Sequence, residues 1–393
     1  MGVFAATLCP FHKDESLDEE GLRAYIRELA AVPGLKGLVP NGHTGEIMSL
    51  REAERAEVTR IVAEEVSGFS RATGARAPDE AGVRHEHRTS NIERPTSNGE
   101  FRTSKFDVQC SMFDVPGVSD HVGSQLRSLN PETRNLDVSS ALRENVPLTR
   151  TPETSSRLMV ISGVCGEGSL SATDHAIAAK EAGADGILLM PPHHWLRFGR
   201  TSAEAVGFIA DVAEGADIDI VIHQYPAWTK AGYSLKEMLE MVKIPQVKVI
   251  KMGTRDMARW LWDYEQLKAA RPDLSIITCH DEYLLPTLLE AGDGALIGFA
   301  GFAPELMIEL VHACLEGDLV RAKQAQQTVA PLARLIYNFG EPGCGAHQRM
   351  KVAKWLLGEI SSPVFRRPVR SLPEAEVQRL RDGLKALGMH IRN

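Results

Sequence analysis

Eight short apolar runs, at residues 3–7, 37–40, 158–163, 186–190, 218–223, 247–252, 275–279 and 294–298, alternate with segments of helical periodicity. Apolar runs joined by helical crossovers are buried on both faces, which requires a parallel sheet covered by helices. Eight of them without a reversal signal favour closure into a (β/α)8 TIM barrel over an open doubly wound sheet. Helix starts are marked by the S/T-x-x-E spacing of a capping box at Ser49/Glu52, Thr201/Glu204 and Ser234/Glu237. Gly183 and Gly292 stand where left-handed helix ends are expected. Helical patterns at 304–318, 319–339, 348–361 and 372–388 exceed what one closing helix needs, so a C-terminal helical lobe is expected.

One stretch breaks the rhythm. Residues 69–156 hold 20 Ser or Thr, no Trp or Tyr, 11 basic and 12 acidic side chains, and no sustained period. Such a composition cannot bury enough surface to offset an ordering cost of roughly 1–2 kcal/mol per residue. It reads as a long disordered insert, with a small appended domain or a wrongly retained intervening segment as alternatives. The domain plan is therefore a barrel from 1–68 and 157–303, an insert at 69–156, and a last barrel helix plus lobe at 304–393. The insert occupies a helix-to-strand connection, on the face opposite to that used for catalysis in such barrels.

Composition narrows the function classes. The net charge of -8 over 393 residues offers no positive field for nucleic acid or anionic lipid. No apolar run reaches spanning length, and the start lacks a basic n-region, so a soluble, cytoplasmic protein is expected. Cys9, Cys110, Cys165, Cys279, Cys314 and Cys344 show no CxxC or CxxxC pair, which points to reduced thiols.

The chemistry-bearing residues fall at strand ends. After the second run, Asn41-Gly42-His43-Thr44-Gly45-Glu46 forms a glycine-flanked turn before a helix. It suits a small carboxylate, with Thr44 as a further donor, or is a plain βα loop. On the sixth run Lys248 and Lys251 face opposite sides of a period-two strand. Lys248 points outwards. Lys251, nearest the C-terminal end, points into the mouth as a nucleophilic amine or snorkels at the rim. His223 on the fifth run and His193 and His194 after the fourth gather where protons would move. Glu46 and Asp281 follow neither HxH nor HExxH spacing, so no metal is expected.

At these residues the chain resembles the dihydrodipicolinate synthase and N-acetylneuraminate lyase family, the pyruvate-type class I Schiff-base aldolases. The likeness runs through Thr7-Leu8-Cys9-Pro10-Phe11, Gly42-His43-Thr44-Gly45-Glu46 in place of G-T-T-G-E, Ala184-Asp185-Gly186, Pro191-Pro192, Pro226, Lys251, 298–304 and Arg366-Arg367-Pro368. It covers nearly everything outside 69–156. The resemblance implies that Lys251 condenses with pyruvate or another 2-keto acid, that Thr44, Gly42 and Gly45 hold the carboxylate, and that no cofactor is needed. It also implies a homo-oligomer, a dimer or a tetramer of tight dimers. His43, His194, Trp228, Cys279, Gly298 and Phe299 are expected to line the substrate pocket.

The departures bear on the second substrate. The family's relay tyrosine in Y-N-x-P aligns with His223, with Tyr225 as the alternative, and a His223 relay predicts pH dependence near 6 to 7. The arginine two residues after the strand-five proline is Trp228, and an indole cannot replace a bidentate guanidinium. An aldehyde without a second carboxylate fits better than the lysine-pathway partner. The expected activity is a lyase that makes or breaks a carbon–carbon bond or dehydrates a sugar acid. The alternatives are 4-hydroxy-tetrahydrodipicolinate synthase itself and a non-catalytic 2-keto-acid binder.

Overall fold

A computed structural model describes residues 2–73, 157–226, 229–337 and 345–392. Eight strands close into one barrel in chain order: β1 (Gly2–Ala6), β2 (Leu35–Val39), β3 (Met159–Val164), β4 (Gly186–Leu189), β5 (Asp219–Gln224), β6 (Val247–Met252), β7 (Ser275–Thr278) and β8 (Gly294–Ile297). Every neighbouring pair is parallel, including the closing β1–β8 pair. The (β/α)8 expectation is met.

Outside the strands lie α1 (Glu19–Ala30), α2 (Glu52–Thr73), α3 (Ser169–Glu181), the short α4 (Trp195–Phe198), α5 (Ser202–Ala216), α6 (Leu235–Met241), α7 (Met257–Ala270) and α8 (Leu285–Glu290). A short α9 (Phe299–Phe302) and then α10 (Pro304–Leu315) follow β8. The C-terminal lobe is α11 (Leu319–Tyr337), α12 (Ala346–Leu356) and α13 (Glu374–Ala386). Capping boxes form at Thr201 and Ser234. At Ser49 none forms, because Ser49 closes a 3-10 turn (Ile47–Ser49) and the Arg51 N–H instead donates to Glu54. Gly183 is left-handed at φ 94°, but Gly292 is not among the positive-φ residues. Helix α2 runs through Thr73, so the first residues of the 69–156 stretch belong to it. The remainder, 74–156, lies outside the described residues, as does Trp228. Strand β3, which follows that stretch, begins at the barrel end opposite Lys251. Among the described residues no helix is long and apolar enough to cross a membrane.

The inward-facing residues set the floor of the site. Ala6, Val39, Ile161, Leu188, Val221, Ile277 and Leu296 form one cluster, with Phe4 and Val249 packed against it. Every strand therefore supplies an inward apolar side chain at this level. Counting up by two from Val221 gives His223, and from Val249 gives Lys251. Strand register pairs these two residues directly.

Candidate active site

Lys251 and His223 are inward neighbours on adjacent parallel strands, and their side chains meet with Lys251 Nζ 3.1 Å from His223 Nε2. Among the described residues no carboxylate pairs with this lysine. Lys248 takes the outward position, half-exposed and 4.0 Å from Asp219. His223 is buried, and its Nδ1 has no hydrogen-bond partner. Burial, then the charge of Lys251, pushes its pKa well below the ordinary histidine value. Titration of His223 near pH 6 to 7, expected from an unperturbed imidazole, is thus displaced to lower pH by its surroundings.

Tyr225 lies two residues beyond His223 and points the same way, so both expected relay candidates stand at the mouth. Their rings meet edge to face at 4.6 Å between centroids. The Tyr225 hydroxyl is 3.0 Å from His43 Nε2 and 3.4 Å from His193 Nε2. His193 continues to the surface, with Nδ1 3.7 Å from Glu167. A polar chain therefore runs from Glu167 through His193 and Tyr225 to His43, whose ring centroid is 5.7 Å from that of His223. Burial raises the Tyr225 phenol above its usual range and pushes His43 down to about 3. Desolvation thus favours the neutral form of both. Among the described residues no group of three or more His, Cys, Asp or Glu side chains is arranged to hold a metal ion.

The turn after β2 leads into the 3-10 segment Ile47–Ser49. Its left-handed positions are Asn41 and Glu46, both at φ 58°, not Gly42 or Gly45. Gly45 is needed for closeness, since a Cβ there would lie 3.0 Å from the Thr7 carbonyl oxygen at the end of β1. The Gly45 and Ile47 N–H groups both donate to the Gly42 carbonyl, which folds the turn back on itself. Thr44 is buried, and its hydroxyl faces Gly298, where a Cβ would be 3.1 Å from both Thr44 Oγ1 and Asp281 Oδ2. Gly298 thus leaves room between a hydroxyl and a carboxyl.

Other expected pocket residues separate. His194 turns away from the cluster to Glu167, with Nδ1 2.9 Å from Oε2 and the side chain 43% exposed, and His193 takes the inward place. Phe299 is fully buried and packs on Tyr337 and Phe302, so its side chain belongs to the core. Cys279 sits at the end of β7 with its thiol donating to the Met252 carbonyl at 3.4 Å, and burial raises its pKa. Cys9, Cys165, Cys279 and Cys314 are all free thiols.

The C-terminal lobe adds groups that strand-end reasoning missed. Tyr337 of α11 donates to Asp281 Oδ2. Burial, outweighing this hydrogen bond, raises Asp281 to about 7. His347 of α12 borders the same cavity as His43, and desolvation with the charge of Lys251 lowers it to about 4. Lys351 of α12 reaches Glu46 Oε1 at 2.6 Å, between the rings of Phe11 (4.4 Å) and Phe365 (4.8 Å). Arg366 pairs with Glu54 at 2.6 Å and stacks on Phe11. Tyr225 and His193 carried a sequence signal, the period of two on β5 and the doubled histidine after β4, whereas Tyr337, His347 and Lys351 had none.

The sequence model of the dihydrodipicolinate synthetase family matches residues 1–81 and 139–387, breaking off only inside the stretch of unusual composition. An uncharacterized DapA-like lyase of Thermofilum pendens is 23% identical over 392 residues, covering 99% of this chain and 98% of the relative. A 4-hydroxy-tetrahydrodipicolinate synthase of Methanosarcina barkeri is 23% identical over 388 residues, with 99% and 98% covered. Among solved structures, dihydrodipicolinate synthase from Aquifex aeolicus superposes with a TM-score of 0.70 at 20% identity, covering 100% of this chain and 99% of that one. The family member YagE from E. coli K12, solved with pyruvate, gives 0.69 at 20% identity, with 99% of each chain covered. At that identity the structural likeness speaks for the fold, whereas the family match spans both sides of the barrel and most of the lobe. The chain belongs to the dihydrodipicolinate synthetase family.

Proposed function

We propose that the protein is a class I lyase in which Lys251 forms a Schiff base with pyruvate or another 2-keto acid and a carbon–carbon bond to an aldehyde is then made or broken. The observation that carries this reading is the Lys251 amine in the barrel mouth, 3.1 Å from a buried imidazole rather than tied to a carboxylate. A neutral imidazole at that distance accepts a hydrogen bond from the lysine nitrogen and can pass on, without retaining, the proton that the ammonium must lose before it attacks. The amine adds to the keto carbon, the carbinolamine expels water, and the imine draws electrons from the neighbouring carbon. Loss of a proton from that carbon gives an enamine, which attacks the aldehyde carbon. The new alkoxide takes a proton, and hydrolysis returns the free amine. The reverse sequence cleaves the bond, and expulsion by the enamine of a hydroxyl from the next carbon along, leaving with a proton as water, would give the dehydratase variant.

Roles follow from position. Thr44 and the turn at Gly42 and Gly45 receive the 2-keto-acid carboxylate, beside the space left at Gly298. His223 serves the amine. Tyr225, hydrogen-bonded to His43 and His193, serves the alkoxide oxygen, with His193 and Glu167 leading that proton towards solvent. No cofactor enters these steps. Trp228 and Cys279 remain candidate pocket residues, and a cytoplasmic homo-oligomer, dimer or tetramer, is the accompanying proposal.

The test is incubation with pyruvate, reduction with borohydride and peptide mapping. The adduct is expected on Lys251 and nowhere else, and its absence would overturn the reading. The named relatives favour a second reading, 4-hydroxy-tetrahydrodipicolinate synthase. Turnover of pyruvate with aspartate semialdehyde at rates above those with uncarboxylated aldehydes would establish it. An adduct without turnover of any aldehyde would favour the 2-keto-acid binder.

A further inference from the structure

Between the turn after β2 and the start of α12 lies a cavity of about 190 Å³, bordered by His43, Met48, His347, Phe365 and Val369. His43 also contacts Tyr225, so the cavity adjoins the hydrogen-bonded cluster around the proposed Schiff-base amine. Helix α12 delivers His347 in its first turn, after Gly345 at φ 80°. His347 Nδ1 is buried and has no hydrogen-bond partner. The nearby charges are already committed. Glu46, which also borders the cavity, is held by Lys351 at 2.6 Å and by the Arg366 N–H at 3.4 Å, while the Arg366 guanidinium is held by Glu54. Burial holds both His43 and His347 neutral. Ser49 and Gln348 also border the cavity, Gln348 donating to the Arg370 carbonyl. Of the polar atoms here, His347 Nδ1 is the one buried without a partner, and its lost hydration costs about 1–3 kcal/mol until a ligand replaces it.

We propose that this cavity seats the far end of the second substrate, an uncharged aldehyde whose hydroxyl hydrogen-bonds to His347 Nδ1, making His347 the specificity-determining residue for that substrate. The inference rests on the Schiff-base reading of Lys251. A neutral imidazole offers one donor and one acceptor, and a hydroxyl complements either. A carboxylate or phosphate would enter a space with no uncommitted cation among the described residues and would have to give up its hydration. Sites that hydrogen-bond a substrate hydroxyl discriminate strongly against analogues lacking it, because the protein group is then left unpaired.

The experiment uses the full chain with pyruvate and matched aldehydes: glyceraldehyde, propanal, and succinic semialdehyde as the carboxylated control. Wild type is expected to favour glyceraldehyde over propanal by roughly tenfold or more in kcat/KM. His347→Leu should erase that preference while still giving the borohydride-trapped pyruvate adduct, and His347→Asn should restore part of it. An unchanged preference in His347→Leu overturns the inference. So does a wild-type preference for succinic semialdehyde, or a wild-type adduct with no aldehyde turned over. Loss of the adduct in the His347 variants alone would also overturn it, by assigning His347 to the amine. If wild type itself forms no adduct, the Schiff-base reading fails first, which separates the two failures.

Discussion

Two lysines, the half-buried Lys251 and the buried Lys351, show how partners rather than residue type set a role. Lys351 is 1% exposed, bonded to Glu46 at 2.6 Å and covered by two phenyl rings. Burial pulls its pKa down while Glu46 pulls it back up. Such an ammonium is a structural clamp, joining α12 to the turn that ends in Glu46. Lys251 has instead an imidazole as its hydrogen-bond partner and an apolar floor beneath it. One amine is neutralised by a fixed anion, and the other meets an imidazole with no carboxylate partner among the described residues. The lobe thus braces the turn after β2 through Glu46, while the proposed nucleophile comes from β6.

The sharpest way to break this contrast is to exchange the fates of the two lysines. Lys251→Met is expected to abolish the trapped adduct and lower turnover by roughly 10³-fold or more. Lys351→Met should retain the adduct but lose stability by about 3–5 kcal/mol, because Glu46 is left buried without its partner. Denaturant midpoints together with adduct yield would check both, and an adduct lost equally in the two variants would erase the distinction.

Within the mouth, His223→Phe should form adduct more slowly and lower turnover by roughly 10²–10⁴-fold, the span of general acid–base catalysis. Tyr225→Phe should leave adduct yield intact and slow the aldehyde step. Stopped-flow adduct formation measured beside steady-state turnover separates them, and identical defects would merge the two roles.

A smaller effect comes from ionisation. Asp281 is raised to about 7, so between its ordinary value of 3.8 and 7 the folded state holds a proton that the unfolded chain has lost. Stability contributed by Asp281 therefore falls as pH rises through that window. His43 and His347, lowered to about 3 and about 4, act with the opposite sign. Their contribution is present above about 6.5 and is lost as pH falls towards the folded values. Asp281→Asn should make stability rise more steeply with pH, as measured by urea unfolding between about pH 4.5 and 7.5. Parallel curves would show that the carboxyl is not held protonated. The smallest change is expected for His194→Ala, within about 0.5 kcal/mol in stability because its ring faces Glu167 at the surface. Its kcat/KM should stay within a similarly small factor, and a larger drop would return His194 to the pocket.

Much of this was legible along the chain. Alternation of short apolar runs with helices required a parallel sheet and favoured its closure, and the period of two separated Lys248 from Lys251. The same period put His223 and Tyr225 on one face, although proline alignment made them look like competitors. The His193–His194 choice was not legible, because it depends on which ring the α4 turn directs to Tyr225 and which Glu167 captures. Phe299 read as pocket wall because it follows β8, but α9 turns its ring into the core.

Local patterning thus decided the barrel, the strand-end location of the chemistry and the inward lysine, because burial on a strand repeats at a fixed spacing. Only the folded chain joined Tyr337 to Asp281, Lys351 to Glu46, and His347 to the cavity beside His43, across separations of 56 residues for the first pair and 305 for the second. No periodicity encodes such contacts. They arise where a separate helical lobe meets the barrel, and there burial shifts each group's charge according to neighbours that the linear order does not name.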